Sequence, residues 1–284
     1  MPESVHPFSP IVIEPRRSLL SLDLHGIWRY RDLLMLFVRR DFVSQYKQTI
    51  LGPLWYLVQP LLTTLTFTVI FGNIAGISTD GLPKILFYLA GITAWNYFAD
   101  CLTKTADVFK TNEHIFGKVY FPRVVVPLSI VLSHLVKFGI QFLIFLAVYL
   151  YFFFSGAPVQ PNTAIFLLPF LILLTAGLGL GFGLIISALT TKYRDLAFLI
   201  TFGIQLLMYA TPVIYPLATI PDNYLPFILA NPMTSVVETF KYGFFGTGTF
   251  SWGLLGYSTG FMVVLLMGSL VIFNHTERTF IDTV

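Results

Sequence analysis

Adjacent acid and imidazole groups at Glu113 and His114 are the first pair in this chain that could do chemistry, as a proton relay or as the start of a metal site. A structural zinc site takes four protein ligands and a catalytic one three. The other histidines, His6, His25, His134 and His275, stand at no ligand spacing to the pair. It is therefore read as part of a polar contact surface, and no catalytic or metal-ligating residue is assigned. The pair sits in TNEHIFGKVYFPRVVVP, residues 111–127, where Glu113, His114, Lys118 and Arg123 separate two long apolar runs. Asp100 and Lys104 are four apart, the spacing of a local helical ion pair worth about 0.2–0.5 kcal/mol. No G-x-x-x-x-G-K-[ST] loop occurs, so the chain offers no phosphate cradle of that kind. Gly177, Gly179, Gly181 and Gly183 in TAGLGLGFGL fall inside an apolar run rather than after a strand. Small residues four apart let transmembrane helices approach closely, which makes them packing positions.

Lys137 is the ionisable group that stands out. It lies 14 residues beyond Arg123, about 21 Å along a straight helix. With His134 and Gln141 it forms a stripe at i, i+3 and i+7 on one helical face. Intramembrane charge usually faces a bundle interior or a wet cavity. Two roles fit equally: a pathway or gate contact, or a structural charge hydrogen-bonded between helices.

The elements that position these residues follow from composition. Of 284 residues, 56% are hydrophobic and 11% charged, against about a quarter charged in soluble proteins, and mean hydropathy is +0.77. The fold class is all-α and membrane-embedded. Six spans are placed at 54–76, 84–103, 124–153, 164–189, 196–216 and 253–273, each long enough at about 1.5 Å per residue for about 30 Å of hydrocarbon. Lys and Arg number seven in residues 1–53, four in 104–123, two in 190–195 and one in 274–284, together 14 of the 17. All fall on one side of six spans, so both termini are expected in the cytoplasm. That distribution accounts for the net charge of +3 without nucleic acid. The lone Cys101 excludes an internal disulfide.

The domain plan is a Pro-rich tail over 1–27 with no signal-peptide core, an interface helix over 28–52, a transmembrane domain over 53–274 and a short tail over 275–284. In the interface helix, Leu34, Val38, Phe42 and Tyr46 recur at helical spacing, while Arg39, Arg40 and Lys47 fall elsewhere, near anionic headgroups. Between the last two spans, Pro221, Pro226, Pro232 and Gly243 interrupt an apolar, aromatic segment. Asn231 before Pro232 reads as an N-cap with Pro at the first helical position. Two short re-entrant helices from the outer face are expected there, sheltered by protein. Trp55, Tyr56, Trp95, Tyr97, Tyr209 and Tyr215 lie near span ends, where amphipathic rings suit either an interfacial belt or sliding contact with sugars. Gln59 and Pro60 in the first span, and Pro212 in the fifth, make those two the expected pathway wall.

Taken in order, RRDFVSQYKQTILGPLWYLVQPLL, LAGITAWNYF, KVYFPR, YRDL, TPVIYP and NPM resemble the membrane subunit of a polysaccharide or polyol-phosphate ABC exporter, the ABC-2 permease family of O-antigen and teichoic-acid exporters. The resemblance runs from about residue 28 to 250 and departs at Glu113 and His114, where smaller or less charged residues are expected. It implies a homodimer in the bacterial cytoplasmic membrane, two copies of a separate ATPase that binds ATP and Mg, and no cofactor on this chain. It also implies that Asn112, Glu113, His114, Ile115, Phe116, Lys118, Val119, Tyr120, Phe121, Pro122 and Arg123 form a coupling helix and its junction, seated on the ATPase. Arg194 and Asp195 become the second contact, Arg39, Arg40, Asp41, Tyr46 and Lys47 the interface helix, and Asn231 and Pro232 a gate hinge. Ile115 and Phe116 would be the apolar docking anchors within a polar rim. The expected activity is ATP-driven export of a lipid-linked polysaccharide. Rival substrates are a teichoic acid or a small hydrophobic compound, and the rival class is an ion-coupled transporter, for which Asp100 is the one candidate carboxylate.

Overall fold

The computed structural model describes residues 24–47, 52–116, 121–193 and 195–280. Among these there are helices and no strands. A short helix α1 (Leu24–Arg29) leads into α2 (Arg31–Tyr46). The first long element is α3 (Trp55–Phe67), which continues as a π-helical stretch over Thr68–Ile74. Then come α4 (Lys84–Ala106), the short α5 (Val108–Phe116), and α6 (Val125–Phe154). A 3₁₀ turn (Thr163–Leu167) opens α7 (Leu168–Lys192), followed by α8 (Leu196–Tyr209), α9 (Leu225–Ala230), α10 (Pro232–Phe245) and α11 (Trp252–Phe280).

Among the described residues, five segments are long and apolar enough to cross a membrane: Trp55–Ile74, Lys84–Ala106, Val125–Phe154, Thr163–Thr191 and Trp252–Thr276. The expected fifth span over 196–216 is shorter. Its helix, α8, has 14 residues and ends at Tyr209, about 21 Å where about 30 Å is needed. The cause is TPVIYP, residues 211–216: Pro212 and Pro216 donate no backbone hydrogen bond, and Val213 N instead turns back to the carbonyl of Thr211. This turn is pressed into the side of α4 at Gly91, where an added Cβ would lie 2.8 Å from the Val213 carbonyl oxygen.

α4 is the centre of the bundle. Its most apolar stretch is 78% buried, enclosed by α3, α6, α7 and α10. The glycine series explains how α7 fits. Residues two apart on a helix point about 200° apart, so the four glycines divide between two neighbours. Added Cβ atoms at Gly179 and Gly183 would lie 2.7 Å from Cys101 Cβ and 2.5 Å from Thr105 Cβ, on α4. At Gly177 and Gly181 they would lie 2.4 Å from Met262 Sδ and 2.8 Å from Leu265 Cγ, on α11. One helix thus backs closely onto two others.

A second core closes the end where α2, α5, the start of α6 and the end of α11 meet. It contains Leu34, Phe37, Phe109, Phe116, Phe121 and Phe273, with Phe109 stacked on Phe273 at 4.9 Å between ring centroids. α2 therefore buries Leu34 and Phe37, a spacing of three, rather than one stripe from Leu34 through Val38 and Phe42. Met35, Leu36 and Val43 face outward with Arg39 and Lys47.

Replacing Gly179 by Leu forces α7 off α4. A cost of about 1–3 kcal/mol is expected from overpacking, read as a lower thermal midpoint of the purified protein by size-exclusion after heating. Gly203→Ala, with no atom within 4 Å of the new methyl, is expected to leave that midpoint unchanged or raise it.

Candidate functional site

Three groups of residues carry the polar chemistry of the bundle. The first lies between α3, α4 and α6. Lys137 on α6 places its Nζ 2.7 Å from Asp100 Oδ2 on α4 and 5.5 Å from the ring centre of Tyr56 on α3. A helical lysine leans toward the N-terminus of its own helix, which here brings the ammonium back toward the α5 end, where Asp100 waits. Asp100 thus pairs across helices, and the expected local pair with Lys104 is not formed. His134, one turn before Lys137, has Nδ1 3.9 Å from Asp100 Oδ2, beyond hydrogen-bonding distance. One turn further, Gln141 Oε1 accepts from Asn96 Nδ2 at 3.5 Å. The stripe of His134, Lys137 and Gln141 is buried against α4. Of the two roles left open for Lys137, the geometry supplies the interhelical charge.

The second group is α5 and its surroundings. The backbone is broken at Asn112 (φ −114°, ψ 17°), and the Asn112 side chain holds the break. Its Nδ2 donates to the Val108 carbonyl at 3.0 Å, and its Oδ1 accepts from Arg40 Nη2 on α2 at 3.3 Å. Arg40 also donates from Nε to Asp41 Oδ1 at 2.8 Å and lies over the Phe37 ring at 4.7 Å. Lys110, Thr111, Glu113 and His114 are exposed and Ile115 is half-buried. Phe116 corrects the expectation of a docking anchor: it is 5% exposed, packed on Phe109 and Phe121 at 5.9 and 6.1 Å with the Arg123 guanidinium 5.4 Å from its ring centre. An aromatic ring with three inward partners is already docked. Phe121 and Arg123 are buried with it, Pro122 is half-buried, and Asp195 is exposed just before α8. Lys118, Val119, Tyr120 and Arg194 lie outside the described residues, as does the side chain of Tyr46.

The third group is the α9–α10 hairpin. Asn231 caps α10 through its Oδ1, which accepts from Met233 N at 3.0 Å, and Pro232 stands at the first helical position as its residue type predicts. The Nδ2 of Asn231 donates to Thr211 Oγ1 at 2.8 Å. The start of α10 is thereby tied to the end of α8, and both ends of the Asn231 amide are engaged. Two charges that the sequence pattern did not single out complete this group. Glu238 accepts through Oε2 from the backbone N and the hydroxyl of Thr249. Lys241 donates to the Pro212 carbonyl and lies 3.7 Å from the Phe87 ring centre. Burial pushes the Glu238 carboxyl up, opposed by Lys241 and the Thr249 hydrogen bonds. Burial likewise pushes the Lys241 ammonium down, opposed by the Glu238 charge. Their signal was available in ETFKYG, an acid and a base three apart in an aromatic segment.

The aromatic candidates divide. Trp95 and Tyr97 are each 3% exposed, packed on Phe98 and Phe138 at 5.2 Å, and present no surface to a passing chain. Tyr56 is buried beside Lys137. Trp55, Gln59 and Tyr209 are exposed, and the Tyr215 hydroxyl donates to the Tyr209 carbonyl at 2.8 Å. α8 has no buried residue, and α3 exposes Leu61, Leu62, Leu65, Val69 and Ile70. Among the described residues, no three His, Cys, Asp or Glu side chains converge as a metal set would.

Residues 32–245 match the profile of the family described as ABC-2 type transporter. An O-antigen export system permease protein RfbA from Klebsiella pneumoniae is 29% identical over 252 residues, 88% of this chain and 94% of that protein. One from Myxococcus xanthus is 25% identical over 260 residues, 91% and 97% of the two chains. The polysialic acid transport protein KpsM from Escherichia coli is 24% identical over 252 residues, 86% and 93%.

The Lys137 side chain is 11% exposed and that of Asp100 26%, so removing one member of this part-buried pair is expected to cost between about 1 kcal/mol, the scale of an exposed pair, and about 3–5 kcal/mol, that of a fully buried one. Lys137→Met is therefore expected to reduce the folded, monodisperse fraction sharply. The double variant Asp100→Asn, Lys137→Met is expected to recover most of it, as measured by fluorescence-detected size exclusion after heating. Equal losses in the single and double variants would show that the pair is not what holds α4 to α6.

Proposed function

Because the chain belongs to the ABC-2 type transporter family, we propose that it is the membrane subunit of an exporter that moves a lipid-linked polysaccharide, of O-antigen type, across the cytoplasmic membrane. The observation that carries this is the near full-length similarity to export permeases of two O-antigen systems and of polysialic acid. The chain acts as a conduit; ATP and Mg bind two copies of a separate ATPase, and two copies of this chain form the conduit.

The bundle divides in a way that supports this. α4, α6, α7 and α11 form the packed scaffold. α8 buries no residue and α3 is attached along one stripe while exposing Leu61, Leu62 and Leu65, which suits these two helices to meet a second copy and the passing glycan. The α5 end carries most of the described basic residues, so it faces the cytoplasm by the positive-inside rule. There α5 presents Lys110, Thr111, Glu113 and His114 to the ATPase. Phe109, stacked on Phe273 of α11, and Asn112, bonded to Arg40 of α2, attach it to the rest of the bundle. A push on α5 is passed on because its inward side chains are packed and bonded. Asp195 supplies a second contact. At the opposite end α9 and α10 form the re-entrant hairpin, its backbone sheltered by α4 and α11. Asn231 and Lys241 hold it against the end of α8 and its turn, and Glu238 ties it to Thr249 ahead of α11. α2 lies in the cytoplasmic interface with Met35, Leu36 and Val43 toward lipid and Arg39 and Lys47 toward headgroups.

Deleting the gene is expected to abolish surface polysaccharide while lipid-linked glycan accumulates inside the cell, measured by surface immunoblot and by lipid extraction of the cytoplasmic membrane. A deletion strain with unchanged surface glycan would refute export of polysaccharide by this chain.

A further inference from the structure

At the α5 end, α2, α3, α4, α5 and α6 enclose a cleft of about 280 Å³, near the lower edge of the about 300–1,000 Å³ usual for small-molecule sites. Its chemistry can be audited group by group. Arg40 spends Nε on Asp41 and Nη2 on Asn112. The hydroxyls of Ser44, Thr111 and Ser133 donate to carbonyls of their own helices and keep lone pairs free. Asn112 donates to the Val108 carbonyl. Lys104 and Asp107 make no ion pair with any described residue. The cleft thus offers carboxylate and hydroxyl acceptors in excess, a cationic donor at Lys104 and the remaining N–H groups of Arg40. Two cations, Arg40 and Lys104, balance two carboxylates, Asp41 and Asp107, and His134 adds to the lining a ring whose Nδ1 is buried with no hydrogen-bond partner among the described residues. Phe42, half-buried and in edge contact at 6.4 Å with the buried Tyr56, supplies aromatic surface.

We propose that this cleft is a sugar subsite, taking one hexose unit of the glycan by its hydroxyl groups. This assignment rests on the exporter function proposed above. A hexose matches the audit: its hydroxyls donate to Asp41 and Asp107, its oxygens accept from Lys104, and its C–H face lies on an aromatic ring. A hydroxyl both donates and accepts, which suits a lining of mixed polarity and zero net charge. The cleft adjoins α5 through Thr111 and Asn112 and adjoins α3 through Tyr56. A bound sugar therefore touches the helix expected to meet the ATPase and the helix expected to line the conduit.

The test uses the full-length chain in phosphatidylcholine nanodiscs, free of maltoside detergent, whose sugar headgroup would compete. Saturation-transfer NMR is recorded with the methyl glycosides of glucose, galactose, mannose and N-acetylglucosamine, and with pyrophosphate and O-phosphoethanolamine. At least one glycoside is expected to bind, with affinity about tenfold weaker in Asp107→Asn and in Lys104→Gln, the scale of one lost charge-assisted hydrogen bond, and unchanged in Gly268→Ala, on α11 with no atom within 4 Å of the new methyl. Absence of glycoside binding, equal binding in the cleft variants, or preferential binding of pyrophosphate or phosphoethanolamine through Asp107 and Lys104 would each overturn the assignment. The outcome separates from that of the exporter function. A deletion strain that lacks surface glycan, combined with cleft variants that bind glycosides normally, refutes the subsite alone.

Discussion

Close approach of α7 to α4 is the constraint on which the rest of the bundle depends. In hydrocarbon there is no water to drive helices together or to satisfy polar groups, so association relies on contact distance. Gly179 and Gly183 let α7 touch the α4 backbone at Phe98 and Leu102, while Gly177 and Gly181 do the same for α11. With α7 behind it and α6 in front, α4 is enclosed, and any charge it carries must find its partner inside the protein. Asp100 finds Lys137. The pair follows from the enclosure, and Tyr56 of α3 rests on the cation that closes it.

The same constraint sorts the helices by the work they can do. α4, α6, α7 and α11 share packed faces and cannot slide without parting Asp100 from Lys137 or breaking glycine contacts. α3 is attached along one stripe, Tyr56, Pro60, Thr64 and Phe67, and α8 buries no residue of its own. A rigid scaffold with two lightly attached helices suits a family whose members conduct rather than catalyse. At the α5 end, the Phe109–Phe273 stack and the Arg40–Asn112 hydrogen bond join a short exposed helix to that scaffold. Movement applied there reaches α2, α6 and α11 together.

Much of this was legible in the residues. Glycines four apart inside an apolar run specified close helix contacts, and an Asn before Pro specified the start of α10; that the contacts divide between α4 and α11 is seen only in the structure. The stripe of His134, Lys137 and Gln141 identified the polar face of α6. What sequence could not give was the neighbour each face meets. Asp100 has Lys104 at helical spacing, yet a lysine one turn away on a helix end can reach solvent, while Lys137 has no such outlet and takes the carboxylate. Phe116 has the composition of a docking anchor, but an aromatic cluster of its own chain claims it. Trp95 and Tyr97 look interfacial by position along α4 and are enclosed because α4 is buried all round, a condition that leaves no amphipathic pattern to read. The fifth apolar run was taken seven residues too far because composition continues through TPVIYP while the backbone turns at Ala210.

We propose that α5 is the face through which a separate ATPase drives this chain. Cys101 is the one cysteine and is buried, so a cysteine introduced at His114 provides a single accessible thiol. Thiol cross-linking is measured in membranes that contain the His114→Cys chain and a candidate partner ATPase, compared with Phe154→Cys at the far end of α6, which is exposed as well. The account predicts a cross-linked species with the ATPase from position 114 and none from position 154, formed at a rate that changes when ATP is added. No cross-link at 114, or equal cross-linking at both positions, would contradict it.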